Sequence, residues 1–255
     1  MIIMVIMIVV ASIASDRFLT AANLRNVLTQ AAVLAIVSIA QCMALFIGGV
    51  DMSGSSVISI STIWGAMFSS TGTAGLLGSL ILAVLVGVLV GLVNGLGVVK
   101  FKIPAMIITI STQAFVKGIA LVLMPSSGGK VNQGFADFIR TRFGIFSIAF
   151  LTAIVLYVLI WVVLHYTGFG RKVYAVGNGE LYAEQSGINT KKITIQVYII
   201  SGVIAAIAGI VLSARISSGN PLVGDNYAMD SVAAAVIGGV SMNGGIGSVA
   251  RSEER

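Results

Sequence analysis

In a chain of 255 residues that is 57% hydrophobic and only 9% charged, a soluble fold would lack the polar residues to cover its surface, since soluble domains carry roughly 25% charge. The net charge of +6 comes from basic residues scattered between apolar runs; that suits anionic lipid headgroups and excludes a nucleic-acid surface, which needs a basic patch interleaved with aromatics. A single cysteine, Cys42, excludes an intramolecular disulfide and a multi-cysteine zinc site, and a single histidine, His165, excludes a two-histidine metal site, so neither metal nor cofactor is expected.

Eight apolar segments follow one another, at 1–14, 27–47, 56–70, 75–99, 104–124, 145–165, 193–213 and about 229–249. Most approach the roughly 20 residues needed to cross a hydrocarbon core. None shows the strict alternation of a barrel strand, so the reading is an all-α, polytopic membrane protein with one transmembrane domain over 1–250 and a polar tail at 251–255. The first segment lacks a basic leader and a convincing cleavage site, and is read as a helix rather than a signal peptide.

In the second segment Gln30, Ser38 and Gln41 share a face that should avoid lipid, while Cys42 is read as packing. It ends in "LFIGGVDMSGSS", where glycines permit a break in the helix and Asp51 and Ser53 are placed to cap a new helix beginning near Ser55. Contact of Asp51 with a solute or gate is the alternative. In the fourth segment Gly87, Gly91 and Gly95 form two overlapping GxxxG patterns beside Asn94, which predicts close packing with another helix. The fifth opens with Pro104 and repeats Thr109, Gln113 and Lys117 at every fourth residue, a stripe expected to face the bundle or a wet path.

Between the sixth and seventh segments lies "GFGRKVYAVGNGELYAEQSGINTKKI", residues 168–193. Helix formers around Glu180 to Gln185, closed by Gly187, predict a short surface helix on which a peripheral partner can push. His165, just before it, is read as interfacial rather than as a proton relay. Near the end, "IGGVSMNG" at 237–244 repeats "IGGVDMSG" at 47–54, so each half of the chain carries one copy of a helix interruption, a pointer to a transport pathway in repeat-built transporters. Positive charge does not orient the chain, because alternate loops carry six basic residues each. Enzyme motifs are missing: Gly128, Gly129 and Lys130 lack the spacing of a phosphate loop, and neither GxSxG nor HExxH occurs.

Together these stretches resemble the permease subunits of bacterial ABC importers for ribose and related monosaccharides. "NVLTQAAVLAIVSIAQCMALFIGGVDMSGSSVISIS" is similar to the family's second span and its "GGIDLS.GS" signature, and "GLVNGLGVVKFKIPAMIITIST" to its "GLLNG...KL.IP.FI.TL" stretch. "ISGVIAAIAGIVLSARISSGNPLVGDNYAMDSVAAAVIGGVSMNGGIGS" is similar to the block that ends in "VIGG.S..GG.GS", and 168–193 to "GR..YA.G" followed by a small helix and "SGI". The resemblance implies about ten spans, of which about eight are present; the copy looks truncated after Ser248 and begins inside its first helix. It also implies that 168–193 is cytoplasmic and couples to an ATP-binding subunit through Gly170, Arg171, Tyr174, Ala175, Gly177, Glu180, Ala183, Gly187 and Ile188. The order Gly177, Asn178, Gly179 and the acidic Glu184 depart from the family pattern. The 125–144 loop is then outside, where an extracytoplasmic solute-binding protein docks.

The function so implied is transport of a small sugar across the cytoplasmic membrane, with ATP hydrolysed by the partner and with a second permease copy completing the path. Asp51, Ser53, Asn94, Thr109, Gln113, Ser241 and Asn243 are the candidate path residues. A branched-chain amino acid or nucleoside permease, an ion-coupled carrier, and a nonfunctional fragment are the rival readings. For a carrier, Asp51 is nearly the only in-span acid and Lys117 its in-span basic counterpart.

Overall fold

The computed structural model describes residues 9–15, 17–69, 72–144 and 146–245. Residues 9–14 are helical, and the rest of the first apolar segment, like the 251–255 tail, lies outside the described residues. Among the described residues, five helices are long and apolar enough to span a membrane: α1 (Ala21–Phe46), α3 (Thr73–Phe101), α4 (Ala105–Leu123), α6 (Ile148–Tyr166) and α9 (Thr190–Ile216). Between them lie α2 (Gly54–Phe68), the short α5 (Gln133–Arg140), a hairpin of β1 (Arg142–Phe143) and β2 (Phe146–Ser147), then α7 (Gly168–Asn178) and α8 (Glu180–Gln185). After α9 comes α10 (Asp225–Ile237). The architecture is all-α, as the continuous apolar runs require.

Helix ends follow local chemistry. Asn189 caps α9 by accepting from Lys192 N at 3.0 Å, and Ser147 caps α6 by accepting from Phe150 N at 3.3 Å. α3 stops where Lys102 turns left-handed (φ 53°), and Pro104 immediately starts α4.

α9 is the central post, packed most extensively against α3 and then against α2 and α1. The predicted glycine stripe makes that approach possible. A methyl group on Gly87 would collide with Gly202 O, and one on Gly91 with Tyr198 O; on Gly95 it would sit 2.8 Å from Ile195 Cα. The two helices therefore meet backbone to backbone.

Two of the apolar segments form helices too short to span, α2 with 15 described residues and α10 with 13. The apolar segment at about 229–249 stops as a helix at Ile237, because Gly239 takes φ 88°. Between α9 and α10 the chain folds back along α2. Asn220 N donates to Thr62 Oγ1 at 3.1 Å, and Gly224 N donates to Ser59 Oγ at 3.0 Å, one helical turn closer to the start of α2. At Gly224 the chain lies directly against Ser55 O, leaving no room for a side chain. α10 thus begins at the level of the first turns of α2, inside the bundle, and both half-helices have their N-termini there.

Candidate functional site: a buried polar knot linked to a pair of surface helices

The first interruption, residues 47–53, is organised by Asp51. Its Oδ1 accepts from Ser53 N at 3.0 Å and from Ser53 Oγ at 2.6 Å, and its Oδ2 accepts from Ser201 Oγ of α9 at 2.7 Å. Ser53 Oγ in turn accepts from Asn94 Nδ2 of α3 at 2.7 Å. The Gln41 amide pairs with the Asp51 backbone, donating to its O at 2.8 Å and accepting from its N at 3.2 Å. Asp51 is 5% exposed, and through its carboxylate, its backbone and Ser53 it ties the interruption to α1, α3 and α9 in place of water.

The capping expectation is therefore met in altered form. Asp51 closes the turn before α2, but the helix starts at Gly54, and Ser53, its N-cap, makes no side-chain cap because its hydroxyl is committed between Asp51 and Asn94. Thr109 joins the same region, donating to Val50 O at 3.0 Å. Gln113 is half-buried one turn further along α4. Ser241 and Asn243 lie in the second interruption, half-buried and exposed respectively. Lys117 does not partner Asp51: its Nζ pairs with Oδ2 of Asp225, the first residue of α10, at 2.6 Å. Gln30 also departs from expectation; its side chain is exposed while Gln41 is buried.

The two interruptions touch. Gly245 N donates to Phe46 O at 3.0 Å, and a methyl on Gly48 would meet Asn243 O at 3.4 Å. α1 reaches this junction by its C-terminal residue Phe46, and α10 through the residues that follow its C-terminal end at Ile237. The C-terminal end of α7 is wedged into the same place: a methyl on Gly177 would collide with Phe46 O and stand 2.5 Å from Gly245 N. Tyr174 adds a tilted ring contact with Phe46, with centroids 5.3 Å apart. Three backbones meet with no side chain between them.

The 168–193 segment is more helical than the sequence indicated, with α7 preceding the expected short helix α8. Gly170 N is capped by Thr167 Oγ1 at 3.3 Å, and Gly170 itself lies against the Leu164 backbone. α8 ends as anticipated, with Gly187 at φ 77° and Ile188 N returning to Ala183 O at 3.0 Å. Thr190 Oγ1 donates to Glu184 Oε1 at 2.8 Å and to Glu180 Oε1 at 3.3 Å, tying α8 to the start of α9.

Of the motif residues, Gly170 and Ala183 are buried, Tyr174, Ala175, Gly177 and Ile188 are half-buried, and Arg171, Glu180 and Gly187 are exposed. The motif does not name the large residues that α8 turns outward: Leu181 and Tyr182 are 64% and 72% exposed. The signal was present, since a helix that turns Ala183 inward must turn its large apolar neighbours outward. A cavity of 810 Å³ separates α8 from the first interruption, lined by Gly49, Lys102, Glu180, Glu184, Lys191 and Tyr198 among others.

The family described as branched-chain amino acid transport system / permease component matches residues 23–250. The ribose import permease protein of Bacillus subtilis is 32% identical over 96% of this chain and 76% of its own length. The fructose import permease protein of Rhizobium meliloti is 32% identical over 93% of this chain and 68% of its own, and the D-allose transport system permease protein of Escherichia coli K12 is 30% identical over 96% and 76%. No solved structure matches the chain. With residues 23–250 matched and its spanning helices in place, the chain is a multi-pass protein of the bacterial inner membrane and belongs to the branched-chain amino acid transport system / permease component family.

Proposed function

We propose that the chain is the transmembrane permease of an ATP-driven importer of ribose or a related monosaccharide, with ATP bound and hydrolysed by a separate subunit. Its relatives named for ribose, fructose and D-allose transport support the sugar class over a branched-chain amino acid or nucleoside. The observation that carries the mechanism is the contact between α7 and both helix interruptions. The exposed face of α8 receives the ATP-binding subunit, and Gly177 passes the displacement to Phe46 and Gly245 without an intervening side chain. Displacing that junction moves α1 and α10 together, and Asp51 carries the movement into α3 and α9 through Ser53, Asn94 and Ser201.

On this reading 168–193 is cytoplasmic, α5 and the β hairpin lie on the outer face where a solute-binding protein docks, and a second permease copy closes the path. Asp51, Ser53, Asn94 and Thr109 shape that path by holding the interruption rather than by touching solute, whereas Gln113, Ser241 and Asn243 are available to it. ATP drives the cycle by binding the two conformations of the complex unequally. The test is co-purification from membranes with the ATP-binding subunit, comparing the chain with Leu181→Asp and Tyr182→Asp variants. Retention by the original and loss by the variants is expected; equal retention removes α8 as the dock.

A further inference from the structure

The Lys117–Asp225 pair is left over from the knot and from the coupling helices. It joins residues 108 apart at 2.6 Å, with the side chains 35% and 39% exposed. Its depth is fixed by its neighbours. Lys117 stands eight residues beyond Thr109, about 12 Å along α4 from the hydrogen bond to Val50. Asp225 follows Gly224, which Ser59 holds inside the bundle. Lys117 lies within the apolar spanning helix α4, yet both side chains reach the outside of the protomer.

Further polar groups stand around the pair, between exposed apolar residues such as Phe115 and Met229. The first turns of α10 also expose Asn226 and Asp230, and α4 offers Gln113 beside Lys117. Hydrocarbon does not accommodate such a face, and ionisable groups in spans turn to water-filled routes or protein. Half-helix N-termini inside a membrane protein are where transporters place polar solutes.

We propose that Lys117 and Asp225 form a charged contact for the solute on a water-filled route along this face, which rests on the sugar-import reading. A sugar's neighbouring hydroxyls donate to the Asp225 carboxylate and accept from the Lys117 ammonium, so the pair exchanges its mutual bond for bonds to the passing solute. The groups stay neutral as a pair, which keeps the route free of net charge for an uncharged solute. Stereochemical selection is left to the solute-binding protein.

The test uses the whole chain reconstituted with its ATP-binding subunit and solute-binding protein. Lys117→Ala and Asp225→Asn should each lower the maximal rate of ribose uptake about tenfold or more, the scale of one lost charge-assisted hydrogen bond. An apolar pair of similar volume, Lys117→Met with Asp225→Leu, should keep the melting temperature without keeping uptake. In a Cys42→Ala background, Lys117→Cys should react with a membrane-impermeant thiol reagent. Full uptake by the apolar pair, or a thiol that stays unlabelled, reduces the pair to a structural strut and overturns the proposal. If the unsubstituted complex hydrolyses ATP but imports no sugar, the sugar reading fails instead, and the labelling alone then decides whether the pair faces water.

Discussion

Two alanine substitutions in the same helix should act in opposite directions. In Gly91→Ala the new methyl lands against Tyr198 O and stands 2.6 Å from Ile199 Cα. Carbon atoms in contact prefer about 3.5 Å or more, so α3 and α9 must part by about 1 Å. A gap of that size forfeits a quarter to a half of the dispersion attraction along the line of contact, and overpacking of this kind costs about 1–3 kcal/mol. In Gly78→Ala, thirteen residues earlier in α3, the methyl meets nothing within 4 Å. There the gain in helix propensity stabilises by up to about 1 kcal/mol. Unfolding of the purified chain in mixed micelles, by titrating a denaturing detergent, should therefore separate the variants by about 2–4 kcal/mol with opposite signs. If Gly91→Ala were as stable as Gly78→Ala, the backbone contact between α3 and α9 would not exist as described.

Other substitutions probe the knot and the junction. Asp51→Ala removes the acceptor for Ser53 N, Ser53 Oγ and Ser201 Oγ, and should cost about 3 kcal/mol or more, at about 1–3 kcal/mol for each buried group left unpaired. Asp51→Asn, which keeps one acceptor oxygen, should lose about half as much in the same unfolding titration; equal losses would mean the carboxylate is not shared between two elements. Gly177→Ala should leave the ATP-binding subunit attached, since the exposed face of α8 is unaltered, but should abolish sugar-stimulated ATP hydrolysis; unchanged stimulation would break the link between α7 and the interruptions. Gly187→Ala places a side chain at φ 77° and should lower stability by about 1 kcal/mol, read as a shift in the same titration.

Hydropathy and spacing foreshadowed the all-α architecture, the close approach of another helix to α3 through Gly87, Gly91 and Gly95, and the short helix closed by Gly187. Each of these is a local property, written within a few residues of one another. The placement of α10 was not legible in the same way. A composition window reads residues 229–249 as one apolar stretch, whereas the helix starts earlier, because Ser59 and Thr62 hold the preceding segment against α2, and stops at Ile237, where Gly239 takes φ 88°. For the same reason Asp225 was passed over: its partner lies 108 residues away and only the folded topology brings them together. Ser53 looked like a cap because serine before a helix usually is one. In the fold its hydroxyl has a better use, bridging Asp51 and Asn94.

Reconstitution with the ATP-binding subunit and the solute-binding protein, followed by radiolabelled ribose uptake with ATP supplied on the α8 side, tests the permease assignment most directly. ATP-dependent accumulation of ribose or another monosaccharide, lost in Leu181→Asp, is the predicted result; uptake of leucine instead, or sugar uptake that proceeds without ATP, would contradict it.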